Sequence, residues 1–122
     1  MIDWITEEDI DFMMSWYGEK CVFWPSLRFI LELLAISYST DTHNHFVALL
    51  NSLSHTIPCQ ECADHFKQQL FEVDIPTTRI EMLKLVIDMH NNVNRWNWKK
   101  ELTFREALKS ISERIESKKN NN

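Results

Sequence analysis

A single glycine, Gly18, occurs among the 122 residues of this sequence. Tight β-hairpins depend on residues that accept positive φ, chiefly glycine, so a β protein of this length would need several of them. Hydrophobic residues make up 44% of the chain and charged residues 25%, which is ordinary for a folded globular protein. We therefore expect residues 1–122 to form one all-α domain.

Apolar residues recur at helical spacing along the chain, and capping signals mark where each helix begins. Thr6 and Thr103 are predicted N-caps because acidic residues follow each of them in the next turn. No segment of useful length alternates as a β-strand does. The expected helices run from Thr6 to near Gly18, from Trp24-Pro25 to about Tyr38, from Asp41 or Thr42 to before Ile57, from Pro58 to the break at Asp74, from Ile80 to Asn94, and from Thr103 to a frayed tail at 117–122.

The net charge and the hydropathy of the sequence disfavour two classes of binding partner, nucleic acid and the membrane interior. The net charge is −5 and no long block of basic residues offsets it, which disfavours nucleic acid. The most apolar stretch, residues 29–36, contains Glu32 and is far shorter than the roughly 20 residues that a membrane helix needs. The first residues are acidic, unlike a secretory signal or a mitochondrial transit peptide. We expect a cytoplasmic protein without membrane insertion.

Two cysteines, Cys59 and Cys62, lie three residues apart in a Pro-Cys-Gln-Glu-Cys segment, and His65 follows one turn later. With Pro58 as the first helical residue, both thiols fall in the opening turn of a helix. There the helix dipole and the free backbone N–H groups favour the thiolate and lower its pKa. The pair is therefore predicted to act in thiol–disulfide chemistry, whereas Cys21 is expected to be a buried apolar residue.

Two other interpretations of this pair stay open. The cysteines could be small buried residues that lie near each other by chance. They could also bind zinc, because His55, Cys59, Cys62 and His65 form an HxxxCxxCxxH pattern with four ligands. Structural zinc usually draws its ligands from two separated knuckles and replaces a core that this chain already has, so the zinc site is disfavoured.

A run of amides interrupts the fifth predicted helix between His90 and Lys99. It contains four asparagines, which are poor residues for a helix interior because their side chains compete for backbone hydrogen bonds. His90 and Asn94 share one helix face, and Asn91 lies beside Asn94 on it. The pattern is typical either of a polar binding strip flanked by tryptophans or of a fraying helix end.

Three motifs in this order resemble the Erv/ALR family of FAD-linked sulfhydryl oxidases over about residues 24–100. They are Trp24-Pro25, the PCxxCxxHF motif at 58–66 and the HNxVN motif at 90–94. The resemblance implies a four-helix bundle that holds FAD, with one short additional helix, an N-terminal helical segment and usually a homodimer. A chain this short looks most like the viral members. The implied partners are thiol-containing protein substrates or a relay thiol protein, together with molecular oxygen, which is converted to hydrogen peroxide.

The resemblance also implies roles for individual residues. Cys62 would pass electrons to the flavin, and a substrate thiolate would attack Cys59. No second CxxC pair is present to act as a shuttle, so substrates would reach Cys59 directly or through a partner. Arg28 stands where the family commonly has a His, and Ile87 replaces a family cysteine. The implied cofactor contacts are Trp24, Arg28, Cys62, His65, His90, Asn91, Asn94 and Lys99, and no metal is expected.

Overall fold

The computed structural model describes residues 5–17, 20–57, 60–72, 74–96 and 98–120. No strand occurs in these ranges, which confirms the predicted all-α class. None of the described helices combines the length and the apolar composition that crossing a membrane requires. The described elements are α1 (Glu7–Tyr17), α2 (Lys20–Ile36), a 3-10 turn (Thr40–Thr42), α3 (His43–Thr56), α4 (Gln60–Glu72), α5 (Arg79–Trp96) and α6 (Phe104–Asn120).

Reciprocal capping boxes begin α1 and α6; the sequence predicts Thr6 and Thr103 as the two caps and the capping box for Thr103 alone. The backbone N–H of Asp9 donates to Thr6 Oγ1 over 3.2 Å, and the N–H of Thr6 donates to Asp9 Oδ2 over 3.0 Å. In α6, the N–H of Glu106 donates to Thr103 Oγ1 over 3.1 Å, and the N–H of Thr103 donates to Glu106 Oε1 over 3.0 Å. Each Thr side chain satisfies a backbone donor that the helix leaves free, which stabilises the helix by about 1 kcal/mol.

One expected helix boundary is wrong. The second helix begins at Lys20 rather than at Trp24-Pro25, so Pro25 lies inside it. A proline near a helix start removes one backbone hydrogen bond and need not mark the first residue. The last helix is described as far as Asn120, so residues 117–120 of the tail expected to fray are helical in the structure, and residues 121–122 lie outside the described residues.

The hydrophobic core lies where α2 packs against α5 and where α3 packs against α4. Leu31 of α2 and Met82 and Met89 of α5 are at most 1% exposed. Burying an apolar side chain of this size stabilises the fold by about 1.5–3 kcal/mol. Ala107 and Ile111 of α6 are also buried, so α6 contributes to the same hydrophobic core. The α2–α5 pair therefore forms a firm support for side chains placed along it.

Candidate active site between α2, α4 and α5

Cys62 lies at the bottom of a narrow cleft to which three helices contribute. It is the third residue of α4 as described and is 8% exposed. Trp24 of α2 lines the same cleft, as does His65 one turn later on α4. The structure thus brings together three of the residues that the sequence pointed to. The remaining lining residues are Phe66, Gln69, Val93 and Trp96.

Those four residues were missed as site residues by the sequence interpretation. Helical spacing could have identified two of them, because Phe66 and Gln69 lie four and seven residues after Cys62 and so share its helix face. The other two belong to α5, and only tertiary packing brings them to α4. Residue spacing within one helix does not predict which residues of a second helix complete the cleft.

The cleft continues into a second, more polar pocket. His65, Gln69, Val93 and Trp96 line both hollows, and the second one adds Gln68, Asn92 and Arg95. The rings of His65 and Trp96 have their centroids 4.2 Å apart with planes inclined by 38°. This contact joins α4 to α5 and forms a wall shared by the two hollows. An extended ligand with an aromatic part and a polar part matches such a surface.

Cys59 and Pro58 lie outside the described residues, so the predicted place of Cys59 beside the substrate stays a prediction. His55, the outer histidine of the possible zinc pattern, lines a different pocket with Lys67. Its Nδ1 lies 3.0 Å from the carbonyl oxygen of Asn51. Among the described residues, which leave out Cys59, no group of three or more His, Cys, Asp or Glu side chains could hold a metal ion.

A buried charged network lies one turn from Trp24 along α2. Arg28 Nη1 lies 2.9 Å from His90 Nε2 on α5, and Arg28 Nε lies 3.2 Å from Glu32 Oε1. Glu32 is 2% and His90 5% exposed. Burial raises the pKa of Glu32, although Arg28 acts in the opposite direction. Burial also lowers the pKa of His90 to about 4, with smaller contributions from the positive charges of Arg28 and Lys99.

Three buried nitrogen atoms at this helix pair have no hydrogen-bond partner within the described structure: Trp24 Nε1, His90 Nδ1 and Arg28 Nε. The Arg28 Nε contact with Glu32 is a charge contact without the alignment of a hydrogen bond. An unsatisfied buried polar group costs about 1–3 kcal/mol. Of these three residues, Trp24 lines the cleft and Arg28 and His90 do not. A buried Trp24 N–H that lacks an acceptor, in a cleft with aromatic walls, fits a bound ligand that carries hydrogen-bond acceptors.

Asn91 and Asn94 bond to the chain that connects α5 to α6. The side-chain amide of Asn91 donates to the carbonyl oxygen of Leu102 over 2.8 Å, and its oxygen accepts from the N–H of Leu102 over 2.7 Å. Asn94 Nδ2 donates to the carbonyl oxygen of Lys100 over 3.1 Å. Neither asparagine is among the residues that line the Cys62 cleft, and nor is Lys99. Their contact with a cofactor stays a prediction.

A sequence model of the Erv1/Alr family matches residues 21–115, which span α2 to α5 and most of α6. The chain therefore belongs to the Erv1/Alr family. A relative in Acanthamoeba polyphaga mimivirus, described as a probable FAD-linked sulfhydryl oxidase, is 32% identical over 78 residues. The match covers 61% of this chain and 54% of the relative, so the chain spans about half the length of the curated relative it matches. No solved structure matches significantly.

The mimivirus relative agrees with the expectation that the chain resembles viral members of the family. A still closer resemblance to the sulfhydryl oxidase of African swine fever virus was also expected. The mimivirus match does not test that expectation, which stays a prediction.

Proposed function

We propose that this chain is an FAD-dependent thiol oxidase that forms disulfides in protein substrates. Membership of the Erv1/Alr family and the description of the mimivirus relative support this proposal. The observation that carries it is the position of Cys62, buried in the first turn of α4 and sharing a cleft with Trp24 and Trp96. The positive end of a helix favours a reactive thiolate, and flat aromatic walls suit a flavin ring beside it.

The described residues fit FAD in chemical terms. The isoalloxazine ring is flat and aromatic, and its edges carry carbonyl and ring-nitrogen acceptors. Trp24 and Trp96 offer aromatic surfaces, while Trp24 Nε1 and His90 Nδ1 are buried nitrogens without a partner. When bound, FAD would supply the capacity to accept an electron pair from a thiolate and pass it to oxygen.

The protein's own part is disulfide exchange at the CxxC pair. A substrate thiolate attacks Cys59 of the Cys59–Cys62 disulfide, forming a mixed disulfide and releasing Cys62 as a thiolate. The second substrate thiol then attacks the mixed disulfide, and the substrate leaves oxidised. In total the substrate dithiol loses two electrons and two protons, and oxygen takes up both to give hydrogen peroxide.

The burial of Cys62 supports different roles for the two sulfurs. At 8% exposure Cys62 is poorly accessible to a protein thiol, so Cys59 is the sulfur assigned to the substrate. The first turn of α4 stabilises the Cys62 thiolate through the helix dipole and free backbone N–H groups. Burial also limits the access of outside disulfides and other oxidants to the reduced Cys62.

The proposal extends to partners and location. A homodimer is supported by apolar side chains exposed on α2, namely Ile30 at 52%, Leu33 at 37% and Leu34 at 37%. Thiol-containing proteins or a relay thiol protein are the proposed substrates. Virion proteins are the proposed targets, and the host cytoplasm is the proposed place of action, a location that is consistent with the viral source of the relative.

Oxygen consumption with a reduced dithiol substrate tests the proposed reaction. Wild-type protein should consume oxygen and release an equal amount of hydrogen peroxide. Cys62→Ser should lose this activity while keeping bound FAD, whereas Cys21→Ser serves as the matched cysteine control and should keep both. A Cys62→Ser variant that oxidises thiols at the wild-type rate would falsify the assignment.

A further inference from the structure

The contact between Arg28 and His90 determines which histidine nitrogen carries the proton. A guanidinium group has five N–H donors and no acceptor, so the atom that faces it must accept. His90 Nε2 lies 2.9 Å from Arg28 Nη1 and must therefore present its lone pair. A neutral His90 then carries its proton on Nδ1.

The surroundings of His90 keep the ring neutral. A protonated imidazole would direct an N–H of Nε2 at the Arg28 donor, which is unfavourable in both charge and hydrogen bonding. Lys99 adds a second positive charge, and the side chain is 5% exposed. The lowered pKa of His90, about 4, agrees with this geometry.

Glu32 holds Arg28 in its place, whereas Arg114 contacts other residues of α2. Glu32 Oε1 lies 3.2 Å from Arg28 Nε, one helical turn away on α2, so the carboxylate holds the guanidinium through a different nitrogen from the one that faces His90. From α6, Arg114 donates to the carbonyl oxygen of Pro25 over 3.2 Å and covers the ring of Phe29 at 4.3 Å. Among the described residues, Arg114 forms no hydrogen bond with His90. Substitution of Arg114 is therefore a suitable control for substitution of Arg28.

The proton on His90 Nδ1 has no acceptor in the described structure, and nor does that on Trp24 Nε1. Trp24 lies one turn before Arg28 on α2, and Arg28 contacts His90, so both donors belong to the same packed α2–α5 pair. Leaving two buried donors unpaired is costly unless a ligand supplies acceptors.

We infer that Arg28, held by Glu32, is a positioning residue that fixes His90 as the neutral tautomer with its proton on Nδ1, so that His90 and Trp24 present two N–H donors to acceptors of the bound cofactor. The identity of that cofactor as FAD rests on the proposed function, whereas the tautomer does not.

Long-range nitrogen–proton correlation NMR with isotope-labelled histidine reads the tautomer directly. His90→Asn identifies the His90 signals by their disappearance. At neutral pH, wild-type His90 should be neutral and protonated on Nδ1. A wild-type His90 that is protonated on Nε2, or on both nitrogens, overturns the inference. The spectrum can be read with or without FAD, so failure of the proposed function is distinguishable from failure of this inference.

Substitutions of Arg28 test the causal step. Arg28→Met combined with Glu32→Gln avoids leaving a buried carboxylate unpaired, and it should shift His90 toward a tautomer mixture. Arg28→Lys keeps a donor without an acceptor and should restore the Nδ1 proton. The double variant should weaken FAD binding by roughly 10- to 100-fold, while Arg114→Met leaves both readouts close to wild type. Equal FAD affinity in the double variant and in Arg114→Met overturns the role of Arg28.

Discussion

The side-chain amide of Asn91 exchanges two hydrogen bonds with the backbone of Leu102, eleven residues later in the chain. It thereby ties the last part of α5 to the residues just before α6. The Asn91 amide thus pairs with the backbone of Leu102 as a neighbouring β-strand would. The two hydrogen bonds fix the path of the chain that follows α5, beside the candidate site.

Replacing Asn91 by Ala should therefore destabilise the fold. Both hydrogen bonds are lost and the half-buried backbone of Leu102 is left unsatisfied, so we expect the free energy of unfolding to decrease by about 1–3 kcal/mol. Asn92→Ala is the matched control, because Asn92 bonds to the exposed Arg95, and its effect should stay within about 0.5 kcal/mol. Urea denaturation of both variants checks this, and equal effects would contradict the structural role.

Trp98 occupies an unfavourable backbone conformation. Its φ is 60°, in the left-handed region that favours glycine, and its side chain is 96% exposed. Trp98→Gly relieves this strain and should raise the free energy of unfolding by up to about 1 kcal/mol, after the entropy cost of glycine is subtracted.

Trp98→Ala distinguishes the effect of backbone strain from the effect of removing the indole ring. It removes the indole but keeps a Cβ at positive φ, so its thermal unfolding midpoint should not rise as that of Trp98→Gly does. If alanine stabilises as much as glycine, the strain at Trp98 is not the cause.

His90 should make stability depend on acid pH. The folded protein holds this side chain neutral with a pKa of about 4, whereas its ordinary value in an unfolded chain is 6.5. Between these values the unfolded state binds a proton that the folded state does not. As the pH falls from 6.5 to 4, the contribution of His90 should lower the free energy of unfolding by up to about 3 kcal/mol.

Denaturation of wild type and His90→Asn across this pH range isolates that contribution. Glu32 acts in the opposite direction, because its raised pKa lets the folded protein bind a proton more readily, but it is present in both proteins. The stability of wild type relative to His90→Asn should fall as the pH falls. A difference that stays constant with pH contradicts the buried neutral state of His90.

The sequence predicted those parts of the fold that depend on local signals. Thr6 and Thr103 each contact a carboxylate three residues later, within one helical turn, so both caps could be predicted from local sequence, and at Thr103 the capping box as well. Pro25 misled the interpretation, because proline tolerates a helix start without requiring one. A proline shows that a helix can start at its position, but it does not show that the helix starts there.

The candidate site was predictable only in part. The first-turn position of Cys62 and the place of His65 on the same face follow from helical spacing. The contact of Arg28 with His90 joins residues 62 positions apart, and Trp96 reaches the cleft from another helix. Such pairings depend on how α2 packs on α5, which periodicity does not specify. The buried donors that lack acceptors could be found only in three dimensions.

Transfer of electrons from Cys62 to a bound flavin is the central claim, and an anaerobic titration with dithiothreitol under visible absorbance tests it most directly. The purified wild-type protein should be yellow, and its flavin absorbance should bleach when the dithiol is added. Cys62→Ser should stay yellow under the same conditions. A colourless wild-type protein, or a Cys62→Ser variant that bleaches as fast as wild type, would contradict the account.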